Sequence, residues 1–421
     1  MNRKARLRKK RLHASLLGLI VIIAITAVSF VIKGNIYEKK VPDNNALVND
    51  VEQIPVEAPK EDTETEPKPN VTINIKATGD IMFHPSQIDG AYNSSTKTYD
   101  FYNSFKAVKA IFQEADIAIA NFEGTTAGDE VYAYQGYPMF NAPDETLDAI
   151  KDAGFDVLST ANNHSLDTRK AGIIRTIEQI KARGMDCVGT YVEKPVTRVL
   201  IKEVKGIKIA FLSYTEMVNG LDSYLSPQDL DSMINIIDET KLKEDIAYAK
   251  EQNADVIIAY LHWGNEYARV QSSSQEALAD TLFKEGVDII LGSHPHVIQP
   301  SKTLDYDGKT KFVAYSMGNF ISNQRIETLG PYGISEAQSK YTEDGVIIDI
   351  DIEKNGETGE VAIKNIEYIP LWVYKGTTAD GKTEHVVYPI MEYIESNEIN
   401  ENSKVRMSRS YKDTMDQMNV E

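Results

Sequence analysis

Short apolar runs, each closed by Gly, Asp, Asn or His, recur from about residue 71 onward and set the pattern of this chain. Val71-Thr72-Ile73-Asn74-Ile75 alternates apolar and polar side chains, the two-residue period of a strand. Ile117-Ala118-Ile119-Ala120, Phe155-Asp156-Val157-Leu158, Val256-Ile257-Ile258-Ala259-Tyr260-Leu261 and Val287-Asp288-Ile289-Ile290-Leu291 are apolar almost throughout, as strands buried on both faces are. Between them the apolar spacing widens to a helical period, predicting helices near residues 103–114, 143–153, 168–183, 239–252 and 274–285. Residues 185–188 read as a short strand, and 196–202 with 207–213 as a hairpin around Lys205-Gly206. Late strands fit residues 311–315, 345–352 and 361–368. This alternation predicts one α/β domain over residues 71–394, with mixed sheets and helices outside. No fixed-period repeat is present.

The ends of the chain break that pattern. Arg3, Lys4, Arg6, Arg8, Lys9, Lys10 and Arg11 precede residues 15–32, which carry no charge. That run is long enough to cross a bilayer as a helix. The cations before it place residues 1–14 in the cytoplasm and the main domain outside, at the cell membrane. Ala27-Val28-Ser29 also offers a small-x-small cleavage site, so a cleaved signal peptide competes; the length of the run favours an uncleaved anchor. Residues 33–70 turn to Glu, Asp, Pro, Asn and Thr, a composition that cannot bury enough apolar surface to order itself. They read as a self-repelling tether. Residues 395–421 are polar and read as a mobile tail.

Charge narrows the partners. The formal charge of −18 becomes −25 without the seven N-terminal cations, which argues against nucleic acid and against nonspecific binding to anionic lipid. Any polyanionic ligand would need metal ions or a local basic patch. Cys187 is the only cysteine, so the chain forms no internal disulfide and no zinc site built from several thiolates.

Candidate chemistry collects where the apolar runs stop. The run from Val71 leads to Gly79-Asp80, and that from Ile117 to Asn121-Phe122-Glu123. The run at Phe155 leads to Asn162-Asn163-His164, that at Val256 to His262-Trp263-Gly264, and that at Val287 to Gly292-Ser293-His294-Pro295-His296. Each piece alone has a plainer reading: a Gly-Asp turn, a helix N-cap, turn asparagines, a core histidine or a polar loop. Jointly they matter more, because ligands of open α/β sheets bind beyond the carboxyl ends of the strands. Carboxylate, amide oxygen and imidazole together suit zinc, manganese or iron better than calcium. One or two such ions would support hydrolysis, with His164 free to protonate a leaving group.

Six strings occur in order: Gly79-Asp80-Ile81-Met82, Asn121-Phe122-Glu123-Gly124, Ala161-Asn162-Asn163-His164-Ser165-Leu166-Asp167, His262-Trp263-Gly264-Asn265-Glu266-Tyr267, Gly292-Ser293-His294-Pro295-His296 and Tyr315-Ser316-Met317-Gly318-Asn319-Phe320. From about Ile73 to Ile321 the chain closely resembles the poly-γ-glutamate capsule biosynthesis protein CapA family. That family in turn resembles the calcineurin-like metallophosphoesterases, which implies a four-layer α/β/β/α sandwich. The resemblance implies Asp80, Glu123, Asn163, His262, His294 and His296 as metal ligands and His164 as proton donor. His84, Asn121, Glu266, Asn319 and Arg325 are auxiliary candidates. The wider superfamily has Asp-x-His in its first motif, whereas Asp80 is followed by Ile81-Met82. One ligand is therefore missing unless His84 reaches back, and Glu123 stands where a bridging Asp is usual. The function implied is a membrane-anchored accessory of poly-γ-glutamate synthesis or export, working with a polymer synthase or export complex. Arg325 and Lys340 are the cations nearest the last motif that could meet polymer carboxylates. A catalytic hydrolase of envelope phosphoesters or amides, and a metal-stabilised polymer-binding module without turnover, are the competing expectations.

Overall fold

Strands that are apolar on both faces need cover on both, and the fold supplies it with two stacked sheets and an outer layer of helices on each. The computed structural model describes residues 68–418. The expected span at residues 15–32 lies outside the described residues; among those described, no helix is long and apolar enough to cross a membrane. The first sheet runs Thr383–Pro389, Val361–Thr377, Asp344–Lys354, Val71–Ile81, Ile117–Phe122, Val157–Ser159 and Asp186–Val188, with short Asn319–Ile321 paired to the end of Val71–Ile81. The second runs Ile298–Tyr306, Lys309–Met317, Ile289–Ser293, Val256–His262, Ile207–Thr215 and Leu200–Val204.

Strand parity sorts the core into layers. Ile73, Ile75, Ala77, Ile117 and Ile119 of the first sheet pack against Ile209, Phe211, Ile258, Ile289 and Leu291 of the second. Their neighbours Ala118, Ala120 and Leu158 face outward onto Leu147 and Ile150 of helix Glu145–Ala153. On the far side Ala259, Leu261 and Ile290 meet Leu242 and Ile246 of helix Glu239–Glu251, and Leu282 and Phe283 of helix Ser273–Glu285. The result is an α/β/β/α sandwich whose apolar area removed from water is the main stabilising term. Helix Ser273–Glu285 begins where the pattern predicts: Ser272 and Gln275 form a reciprocal capping box, and Gly286 ends it in a left-handed turn.

Crossover helices make the strands beside the site parallel. Val71–Ile81, Ile117–Phe122 and Val157–Ser159 run together, as do Ile207–Thr215, Val256–His262 and Ile289–Ser293. Two expectations are corrected. The helix near residues 103–114 is two short ones, Tyr102–Phe105 and Lys109–Gln113. The segment from Glu395, expected to be mobile, instead carries helix Glu401–Met418, which buries Met407 and Met418 in two of the core clusters.

Candidate metal centre

Register brings the motif residues together before any side chain turns. Asp80 pairs with Asn121 and Asn319 in the first sheet, and His262 pairs with Ser293 in the second. The backbones approach so closely that a Cβ on Gly79 would stand 1.9 Å from the Gly318 carbonyl oxygen. His294 and His296 both take left-handed backbone, at φ 97° and 57°. Such conformations cost an L-residue free energy and concentrate at functional sites.

The side chains of six predicted ligands meet across the two sheets. His262 Nε2 lies 2.9 Å from Asn163 Oδ1 and 3.7 Å from Glu123 Oε1. His296 Nε2 is 3.8 Å from the same Glu123 oxygen, and His296 Nδ1 is 3.3 Å from Asp80 Oδ2. The backbone N–H of His294 donates to Asp80 Oδ2 (3.2 Å), and the rings of His262 and His294 stand 4.6 Å apart. Donor atoms of Glu123, His262 and His294 all fall within 4.8 Å of one another, as do those of Asp80, Glu123 and His296. All six residues are buried.

Burial and like charge pull these groups out of their ordinary ranges. Burial first, then the Asp80 and Glu266 carboxylates, raises Glu123 well above the usual carboxylate range. Burial and the neighbouring imidazoles hold His262 well below 6.5 and His294 at about 4. His296 goes the other way: burial lowers it, but its bond to Asp80, with Glu266 and Asn319, more than offsets that. Both Glu123 oxygens and His294 Nδ1 are buried without a hydrogen-bond partner. Orphaned oxygens beside unprotonated imidazoles fit a divalent cation, whose charge would restore the carboxylates and use the free lone pairs. The donor set is mixed O and N with no thiolate, which suits manganese, iron or zinc and does not choose among them.

A cleft of about 290 Å³ opens beside this cluster, lined by Met82, His84, His164, Glu266, Tyr267 and His296 among others. His164 stacks edge-on against Phe140, and its Nδ1 lies 2.8 Å from Asp167 Oδ2. Asp167 is a partner that the motif reading leaves without a role, although its i+3 spacing from His164 is legible in the sequence. Asn219, bonded to Asn163 and 3.5 Å from His164 Nδ1, gave no signal at all. Asn121 holds Asp80 Oδ1 at 2.8 Å, Ser293 Oγ lies 3.0 Å from His262 Nδ1, and Asn319 Oδ1 is 3.2 Å from His296 Nδ1. These partners orient the candidate ligands. His84 does not reach back: its Nδ1 accepts from the Asn323 N–H at 3.3 Å and its ring packs on Phe140. Arg325 is not free to meet polymer carboxylates. It is buried, donating to the Val373 carbonyl (3.2 Å) and Glu327 (3.1 Å), so it is committed internally. Lys340 lies over the Tyr341 ring, 4.5 Å from its centroid.

Known proteins resemble this chain over the part that carries the cluster. The chain is 32% identical over 265 residues to the capsule biosynthesis protein CapA of Bacillus anthracis, covering 61% of each chain. It is 27% identical over 289 residues to the PGA biosynthesis protein CapA of Bacillus subtilis, covering 66% of this chain and 67% of that one. The alignment thus spans about three fifths of the first relative's length. Among solved structures, the calcineurin-like phosphoesterase YfkN of Bacillus subtilis matches 83% of this chain and 99% of its own, at 18% identity and a TM-score of 0.42. The family model for bacterial capsule synthesis protein PGA_cap matches residues 74–324, a stretch that contains every residue of the metal cluster, and the chain belongs to that family.

Proposed function

We propose that this protein is a membrane-anchored, extracytoplasmic capsule-synthesis component. On this reading it acts on poly-γ-glutamate, or another envelope polymer, through a hydrolytic centre of the calcineurin-like metallophosphoesterase type. The carrying observation is the convergence of Asp80, Glu123, Asn163, His262, His294 and His296, with both Glu123 oxygens left unpartnered. Family membership supports the capsule role, and the cations before the uncharged run at residues 15–32 support the anchor. The partner class is a membrane-bound polymer synthase or export assembly.

One or two bound divalent ions would supply a water of lowered pKa and polarise a phosphoryl or carbonyl oxygen. The chain's own residues do the rest. With its Nδ1–H given to Asp167, His164 keeps Nε2 as the atom that exchanges a proton with a leaving group. Lys375 Nζ donates to Asn323 Oδ1 (2.9 Å), and His385 Nε2 lies 3.0 Å from the same oxygen. Asn323 lines the cleft, so the Lys375 ammonium stands behind its wall and favours an anionic ligand in an otherwise acidic protein, while His385 is held neutral by burial.

A metal-stabilised binding module without turnover is the second reading, favoured by Met82 in place of an imidazole in the first motif. The test uses the full chain. His262→Ala and His296→Ala should each lose bound metal by elemental analysis and lose capsular polymer in cells; wild-type values for both would overturn the metal centre. His164→Ala separates the two readings. Retained metal with lost polymer supports catalysis, and retained metal with normal polymer supports the binding module.

A further inference from the structure

Asp80, Glu123 and His296 form a group of three donors, and the cleft wall beside Asp80 is closed by Met82. Met82 is buried, two residues after Asp80. Its thioether is a soft ligand, poorly matched to zinc, manganese or iron(II) in an oxygen and imidazole set. His84 is engaged elsewhere, as shown above. A different residue stands where a further donor is needed.

Glu266 groups with His294 and His296, all donor atoms within 4.8 Å of one another. An exposed glutamate ordinarily points into water, but this one sits on a turn built against the histidine pentad. The Trp263 N–H donates to the Ser293 carbonyl (3.0 Å), and the Tyr267 N–H donates to the Pro295 carbonyl (2.8 Å). Tyr267 takes φ 63° to do so, a strained choice for an aromatic residue. Two backbone bonds and one strained residue therefore fix Glu266 to the pentad from both sides, and its side chain lines the cleft.

We propose that Glu266 is a metal ligand that replaces the donor missing at Met82, completing an oxygen-rich site around the ion held by His296. This inference rests on the metal-centre reading above. A carboxylate in place of an imidazole would shift that position toward harder ions such as Mn²⁺. It would also tie the ion to a turn open to the cleft, where exchange is easy.

The experiment is Mn²⁺ titration of the metal-stripped full chain by calorimetry, with electron paramagnetic resonance to detect a coupled ion pair. Wild type should take up two ions per chain with a coupled signal. Glu266→Gln, at an exposed position that does not threaten folding, should lose one ion or weaken it by at least about tenfold, since altering supporting groups alone costs about 10–100-fold. Met82→His added to Glu266→Gln should restore the second ion. A Glu266→Gln chain that titrates like wild type would overturn the inference, as would a folded double variant that stays deficient. A wild-type chain that binds no ion would instead sink the metal centre itself, so the two failures are distinguishable.

Discussion

His164 is held from several directions, and Asp167 does most of the holding. The Asp167 carboxylate faces His164 Nδ1 at 2.8 Å while also accepting the Phe140 N–H, and it is itself buried. A carboxylate there selects the tautomer with Nδ1–H and leaves Nε2 basic. Asp167→Asn keeps the shape but can present an N–H to Nδ1, which reverses the tautomer. On the proposed hydrolytic function, turnover should fall by about 10²–10⁴-fold, the range of general acid–base catalysis. Metal content should stay at the wild-type level. Kinetics alongside elemental analysis checks this: lost metal would mean a structural role, and unchanged kcat would remove His164 from the chemistry.

The most consequential element is helix Glu401–Met418, which composition alone disguised. Its buried face alternates methionine with small polar residues, Ser403, Met407, Ser410, Thr414 and Met418, so no apolar stripe announced it. Docking instead uses charge. Arg406 donates to the fully buried Glu343, whose other bonds come from Trp372 Nε1 (3.0 Å) and the Ile326 N–H (3.4 Å). The adjacent Thr342 carbonyl accepts from Asn319 Nδ2 (3.0 Å), and Asn319 Oδ1 faces His296. The helix thus braces the wall that orients His296, a candidate metal ligand. Arg406→Ala would leave Glu343 buried with neutral hydrogen-bond partners and only the more distant guanidiniums of Arg325 (3.7 Å) and Arg409 (4.0 Å). It should destabilise the fold by about 3–5 kcal/mol in urea unfolding. A loss under about 1 kcal/mol would show that the pair behaves as an exposed one.

For the whole molecule, two buried groups give opposite pH slopes. Burial, then Lys375 and Arg325, pushes His385 down to about 3, so its folded value lies below the unfolded 6.5. Its contribution to stability is full above pH 6.5 and is lost as pH falls toward 3. Burial raises Asp344 from 3.8 to about 7 despite the pull of Arg409, so its contribution is full below pH 4 and is lost as pH rises toward 7. Between about pH 4.5 and 6.5 the two oppose each other, each at about 1.4 kcal/mol per unit. Stability of Asp344→Asn relative to wild type should therefore climb with pH in that window, and that of His385→Asn should decline. Parallel curves for variants and wild type would show that neither group is shifted.

What the chain states locally, it states well. The doubly apolar runs at Ile117, Val256 and Val287 determined central strands, because a strand between two packed layers has no polar face to show. The motif strings named the six residues that the fold clusters, since candidate metal donors are particular residue types at strand ends. Strands Ile298–Tyr306 and Thr383–Pro389 went unread, being half polar and interrupted by proline or histidine. Convergence itself was also beyond local pattern. Asp80 and His294 meet across 214 residues, and that contact exists only through the register of two sheets and the apolar layer pressing them together. Tertiary structure alone decided that Arg325 turns inward, that the polar end of the chain becomes a brace, and that Glu266 stands against the histidines. Residue type and spacing report the period of an element and the chemistry it carries, whereas burial and partner distance are set by which elements pack, and no local window contains that information.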